Sequence, residues 1–168
     1  TFNGVAGAWE MQDEVDVDGE LTITNGTLDT NDQDLYVFDN FSIASGGDFT
    51  KGTGALTLDG DLTYTDNTTA GVDLGYLVVG ASPEVTTLAS DMTATTLTIQ
   101  ATDKLVTDGY NLDIGGYIDI DGTLDAASGT GGDSRINIAG NWDMDAAGAF
   151  TSSNSTVILD GTDTDNTI

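Results

Sequence analysis

Residues 35–60 read LYVFDNFSIASGGDFTKGTGALTLDG, and residues 136–161 read INIAGNWDMDAAGAFTSSNSTVILDG. The second stretch follows the first at a constant offset, without a gap. Apolar positions correspond one to one: Leu35 with Ile136, Val37 with Ile138, Phe41 with Trp142, Ile43 with Met144, Phe49 with Phe150, Leu56 with Val157, Leu58 with Leu159. Gly47 returns as Gly148, and Asp59-Gly60 as Asp160-Gly161. Self-similarity at a fixed spacing marks an architecture built from units that cannot bury their apolar faces alone.

Outward from these copies, the pattern apolar, x, apolar, three residues, apolar, x, apolar occurs at 35–43, 112–120 and 136–144. The last two follow each other closely, one beginning at Leu112 and the other at Ile136. A coil of roughly 20 to 25 residues, with short strands separated by turns, suits a parallel β-helix. Period-two alternation begins at Val15 and makes Val15, Val17, Leu21 and Ile23 candidate core residues. Strands are expected near 35–37, 41–43 and 55–58, and a long polar loop over 60–75. No 3.6-residue period is present, and β-branched residues fill the periodic segments. The expected fold is all-β: a right-handed parallel β-helix, or β-solenoid, of about seven coils. A β-sandwich with strand exchange between subunits is the alternative, but a sandwich has no reason to repeat in register. Residues 1–14 read as an N-terminal joining segment, and 15–168 as a single repeat-built β domain containing both copies.

Charge narrows the function. Three basic residues stand against 29 acidic ones, for a net charge of -26. Nucleic acid and anionic membranes need Lys and Arg, so both are poor partners. No apolar run approaches the roughly 18 residues of a membrane span. Asp far outnumbers Glu, and Asp suits turns, where its side chain bonds nearby backbone. Self-repulsion on this scale opposes compaction, so salt, divalent cations or an elongated shape should offset it. A halophile's surface protein would carry such an excess too. With no His and no Cys, disulfides, thiol chemistry and the usual zinc and triad sets are missing. Carboxylate pairs such as Asp119/Asp121 or Asp143/Asp145 could hydrolyse glycosides in principle. Among so many acids such pairs arise from composition alone, and the chain reads as non-enzymatic. Starting at Thr1, it reads as processed or as a piece of something longer.

Within 75–168, the pieces YLVVGASP (76–83), TDGYNLDIGG (107–116), DGTLDA (121–126), AGNW (139–142) and FTSSNSTVILDG (150–161) resemble repeat modules of very large secreted, cell-surface β-helix proteins of bacteria. That resemblance implies an extracellular stalk or adhesive role and brings no catalytic residues with it.

Several groups of residues are candidates for function. Glu14 to Leu21 resembles the first half of an EF-hand loop, with oxygens at alternate positions and Gly19 at the sixth. Its twelfth position is Asn25 rather than Glu, so a strand with an acidic outer face explains it better. Asp16, Asp18, Asp119 and Asp121 are the calcium candidates, with Asp143, Asp145, Asp160, Asp163 and Asp165 as further acids that could share a divalent ion. Asn25, Asn40, Asn67 and Asn154 head Asn-x-Ser/Thr sequons and are glycosylation candidates. Phe2, Val5, Trp9, Val157, Leu159 and Ile168 lie on end segments suited to joining by strand addition.

Neither end carries an obvious cap, and an uncapped stack pairs with whatever extends it. The expected function is a structural protein of the prokaryotic cell exterior. It would assemble head to tail with copies of itself, or with adjacent repeats of a longer chain, into a filament, sheath or stalk. An adhesin or carbohydrate-binding module, with glycan partners, is the alternative. If shared divalent ions offset the charge, EDTA will lower the melting temperature or dissolve assemblies; an unchanged melting curve with intact particles counts against calcium.

Overall fold

The structure, a computed structural model, describes residues 1–80 and 83–161. These contain nineteen strands and no helix. In chain order they are β1 (Phe2–Glu10), β2 (Val15–Val17), β3 (Leu21–Asp29), β4 (Leu35–Val37), β5 (Phe41–Thr50), β6 (Ala55–Leu58), β7 (Leu62–Asp66), β8 (Tyr76–Val79), β9 (Val85–Leu88), β10 (Met92–Ala94), β11 (Thr96–Ile99), β12 (Lys104–Val106), β13 (Leu112–Ile114), β14 (Ile118–Ile120), β15 (Thr123–Asp125), β16 (Arg135–Ile138), β17 (Trp142–Met144), β18 (Ala149–Thr151) and β19 (Thr156–Leu159).

They stack into three parallel sheets. One has eight strands in the order β1-β3-β5-β7-β9-β12-β15-β18, one has seven, β17-β14-β11-β8-β6-β4-β2, and one has four, β10-β13-β16-β19. Each sheet is one side of a coiling chain, so the fold is a β-solenoid of about seven turns. Val15, Leu35, Leu56, Leu77, Leu97, Ile118 and Trp142 are successive register partners down the seven-stranded sheet. The coil therefore keeps a nearly constant length of about 20 residues as far as Ile118. The last step, from Ile118 to Trp142, is longer, and extra residues at 126–134 account for it. The third side begins as the second half of the long strands β3 and β5. It reaches the four-stranded sheet through Asp73, which bridges Thr93 of β10.

Alternation along each short strand sends every second side chain inward, and parallel stacking sets like on like. Leu35, Leu56, Leu77, Leu97 and Ile118 form one buried column, and Val37, Leu58, Val79, Ile99 and Ile120 another. Phe41, Ile43 and Tyr64 are fully buried on the adjoining side. The aromatic pair Phe41–Phe49, with centroids 5.9 Å apart, recurs as Trp142–Phe150 at 5.0 Å; both are edge-on. Gly47 and Gly148 are likewise equivalent. A Cβ on Gly47 would lie 2.3 Å from the Ile23 carbonyl oxygen, and one on Gly148 2.1 Å from that of Ile120. The coil corner passes too close to the previous coil for any side chain.

The two copies nonetheless stack out of phase by one side. β4 belongs to the seven-stranded sheet, but its counterpart β16 belongs to the four-stranded one; β6 and β19 differ in the same way. Corners of similar length let any two consecutive sides carry the same pattern. The copies at 112–120 and 136–144 are in phase, with Leu112 opposite Ile136 and Ile118 opposite Trp142.

Two local expectations need correction. Residues 60–75 are not one loop: β7 occupies Leu62–Asp66, and Leu62, Tyr64, Val72 and Leu74 are buried. Thr and Asp between the apolar positions mask a strand whose polar residues face outward. Val15 is 36% exposed rather than core, because β2 is the end strand of its sheet and has a neighbour on one side only.

Many Asp and Asn side chains at the corners accept a hydrogen bond from a backbone N–H one coil away. Asp32 Oδ1 takes the Thr53 N–H at 2.8 Å, Asp34 that of Ala55 at 2.7 Å, and Asp61 that of Val85 at 2.9 Å. Asn40 does the same for Thr63 at 2.8 Å. These bonds satisfy amides where the ladders stop. On the third side the Lys51 ammonium contacts both Asp73 and Thr95. Burial opposes ionisation of Asp73, yet Lys51 and the Gly75 amide hold its carboxyl below the usual Asp value.

The Tyr64 hydroxyl is buried without a hydrogen-bond partner among the described residues, and burial raises its pKa. Tyr64→Phe is expected to stabilise the fold by about 1 kcal/mol, whereas Leu97→Ala should destabilise it by about 3 kcal/mol. Urea unfolding of the two variants measures both.

Candidate functional site

The stack has two ends, and neither is sealed among the described residues. At the C-terminal end the outermost strands are β17, β18 and β19, each paired on one side only among the described residues. Trp142, Met144, Phe150, Val157 and Leu159 line an open cavity of about 330 Å³ there. All five are apolar. Met144 is 45% and Val157 37% exposed, whereas the matching positions in the middle of the stack are closed over by the next coil. The sequence pattern makes Trp142, Met144 and Phe150 core residues. They point into the core, but no further coil covers them among the described residues.

At the N-terminal end the outermost strands are β1 and β2. β1 bends across two sides of the coil, pairing with both halves of β3. Phe2 and Trp9 pack together with centroids 5.1 Å apart, and both lie partly buried against the core. The Trp9 indole rests over Gly4, Gly7 and Gly26. Gly26 has φ +86, and a Cβ there would lie 2.5 Å from the Gly7 carbonyl oxygen and 2.9 Å from the indole. The glycines make the seat that lets the ring lie flat. Val5 points away and is 89% exposed. Phe2, Trp9, Val157 and Leu159 therefore all lie at stack ends; Ile168 lies outside the described residues.

The structure separates the calcium candidates. Asp16 is on β2 and Asp119 on β14, five strands apart in one sheet, or roughly 24 Å at the usual strand spacing. Asp18 and Asp121 follow them at the same corner. Asp119 and Asp143 are direct register partners, and Asp121 and Asp145 lie beside them. Among the described residues no three His, Cys, Asp or Glu side chains are arranged to hold a metal ion. Asp163 and Asp165 lie outside the described residues.

The sequons also differ. The Asn25 amide donates to Asn3 Oδ1 at 2.8 Å, and Asn40 Oδ1 holds the Thr63 amide. Asn67 and Asn154 are exposed in loop segments. No helix is long and apolar enough to cross a membrane among the described residues. No protein-family model, curated protein or solved structure matches the chain.

Electrostatics near the C-terminal end follow from the Asp quartet. Partial burial, then the carboxylates of Asp121, Asp143 and Asp145, push the Asp119 pKa above the usual Asp value. The Asp121 carboxyl is also raised, by lost hydration and by Asp145 and Asp143. With its folded pKa above its unfolded one, Asp119 favours the fold when protonated, and that contribution is lost as pH rises through the interval between the two values. At neutral pH its charge opposes folding. Asp119→Asn is expected to raise the melting temperature at pH 7 by about 2 °C, with the difference disappearing below the unfolded Asp pKa. Melting curves across pH check this.

Proposed function

We propose that the chain is a non-enzymatic structural protein of the prokaryotic cell exterior that joins end to end by strand pairing into a filament, sheath or stalk. The supporting observation is the match between its two ends. Among the described residues, all three sides of the coil finish in one-sided strands at the C-terminal end, over an apolar cavity. At the N-terminal end β2 offers a free edge for β17, and the two halves of β1 offer free edges for β18 and β19. Every strand pair between named strands is parallel, so a second copy set coaxially would continue each sheet in the same sense. An adjacent repeat of a longer chain would use the same surfaces.

Seven coils at the usual strand spacing give an axial repeat of about 34 Å. Repulsion between copies carrying -26 each falls with added salt, so assembly should need moderate ionic strength or divalent cations. A sugar-stacking platform of the aromatic kind would need a cluster of exposed rings. Phe38, Tyr76 and Tyr117 are exposed, but none of them is in ring contact with another aromatic among the described residues; such contacts lie at the ends and in the core.

Electron microscopy of the chain in salt and calcium should show fibres with that repeat. Val157→Asp puts a charge into the apolar end and is expected to raise the concentration needed for assembly by about tenfold or more, with the monomer's melting temperature unchanged. A wild-type chain that remains monomeric at high concentration in salt and calcium overturns the reading.

A further inference from the structure

Away from both ends, a groove of about 620 Å³ runs across the outer face of the four-stranded sheet, between that face and the segment 68–71. We propose that this groove binds a neutral, extended oligosaccharide. The inference is independent of end-to-end assembly, because the groove uses neither the strand edges nor the apolar cavity.

The chemistry of the floor carries it. Thr93, Asp113 and Asn137 are register partners on β10, β13 and β16, and all face outward. They repeat at the strand spacing of about 4.8 Å, close to the length of one pyranose unit in an extended chain. Arg135 lies beside them, and Tyr110 stands at the rim, partly buried against the core. The floor thus offers an acceptor in Asp113, donors in Arg135 and the Asn137 amide, and a hydroxyl that does either in Thr93. A row of alternating donors and acceptors suits a row of hydroxyls, each of which both gives and takes a proton.

Two observations separate binding groups from structural ones. The rim is fixed internally: Asp91 accepts from the Asn111 amides at 2.8 and 3.1 Å, and Asn111 Oδ1 accepts the Arg135 backbone N–H at 3.0 Å. The floor is not consumed in this way. Of the chain's three basic residues, Lys51 is engaged by Asp73 and Lys104 by Asp125. Arg135 uses only Nε, toward Asn137 Oδ1 at 2.9 Å. Its two terminal nitrogens, and the Asp113 carboxylate, have no partner among the described residues. The rim holds the sheet edge in place, and the floor keeps its polar groups for a ligand. The net charge of -26 and Asp113 itself disfavour a polyanion, which selects a neutral chain.

The test is calorimetric titration of the full chain with xylohexaose, cellohexaose and mannohexaose, with trigalacturonate as the charged probe. At least one neutral hexamer should bind at millimolar or tighter affinity. Asp113→Ala and Arg135→Gln, both at exposed positions, should each weaken it about fivefold at unchanged melting temperature. Amide shifts in the labelled protein should centre on residues 93, 113 and 137. No binding of any neutral hexamer at about 10 mM, equal binding by both variants and wild type, or tighter binding of trigalacturonate overturns the proposal.

Discussion

The fold depends on one constraint: each coil must bring its backbone into hydrogen-bonding register with the coil before it on at least two sides at once. A short strand of three or four residues has little to hold it otherwise. Parallel ladders keep the coil length nearly constant through most of the stack. Departures from that length are absorbed at corners, as at 126–134, and in register shifts where the long strands β1, β3 and β5 bend from one side to the next. Because the ladders fix register, inward residues fall on inward residues, and the core becomes continuous columns of Leu, Ile and Val. Burial on that scale offsets the ordering of a chain with no disulfide and few ion pairs.

The same constraint explains where the acids go. A coil that turns sharply leaves amides without a ladder partner, and Asp and Asn are short enough to reach them from the neighbouring coil. Asp32, Asp34, Asp61 and Asp91 are acceptors of this kind. Much of the negative charge is therefore tied to structure. The quartet of Asp119, Asp121, Asp143 and Asp145 is different: lost hydration, and then the crowding of its members, raises the pKa values of Asp119 and Asp121.

The class of fold was legible because two features survive in one dimension: alternation, and a repeated Gly where the backbone passes a neighbour, as at Gly47 and Gly148. The phase of the coil was not. Leu35 and Ile136 look equivalent in sequence but stand on different sides, since every corner of similar length reads alike. Leu62–Asp66 is hidden in the sequence because its outward residues are polar and its inward ones few. For the site, Trp9 and Val157 could be placed at the ends from their position in the chain. The groove over β10, β13 and β16 could not. Thr93, Asp113 and Asn137 sit a full coil apart from one another along the chain and meet only through the register.

One feature bears on how the solenoid would carry load along its axis. Between the turn that ends at Thr50 and the next, two sides are joined by regular ladders, β4 with β6 and β5 with β7. The third side has no ladder between named strands there, and it is held by the contact of Lys51 with Asp73 and Thr95. Pulling along the axis loads the joints between turns in series, so tension is the same at each and the joint with fewest bonds yields first. This joint would act as a mechanical fuse. It would open at a defined place near the N-terminal third, while the turns on either side stayed wound.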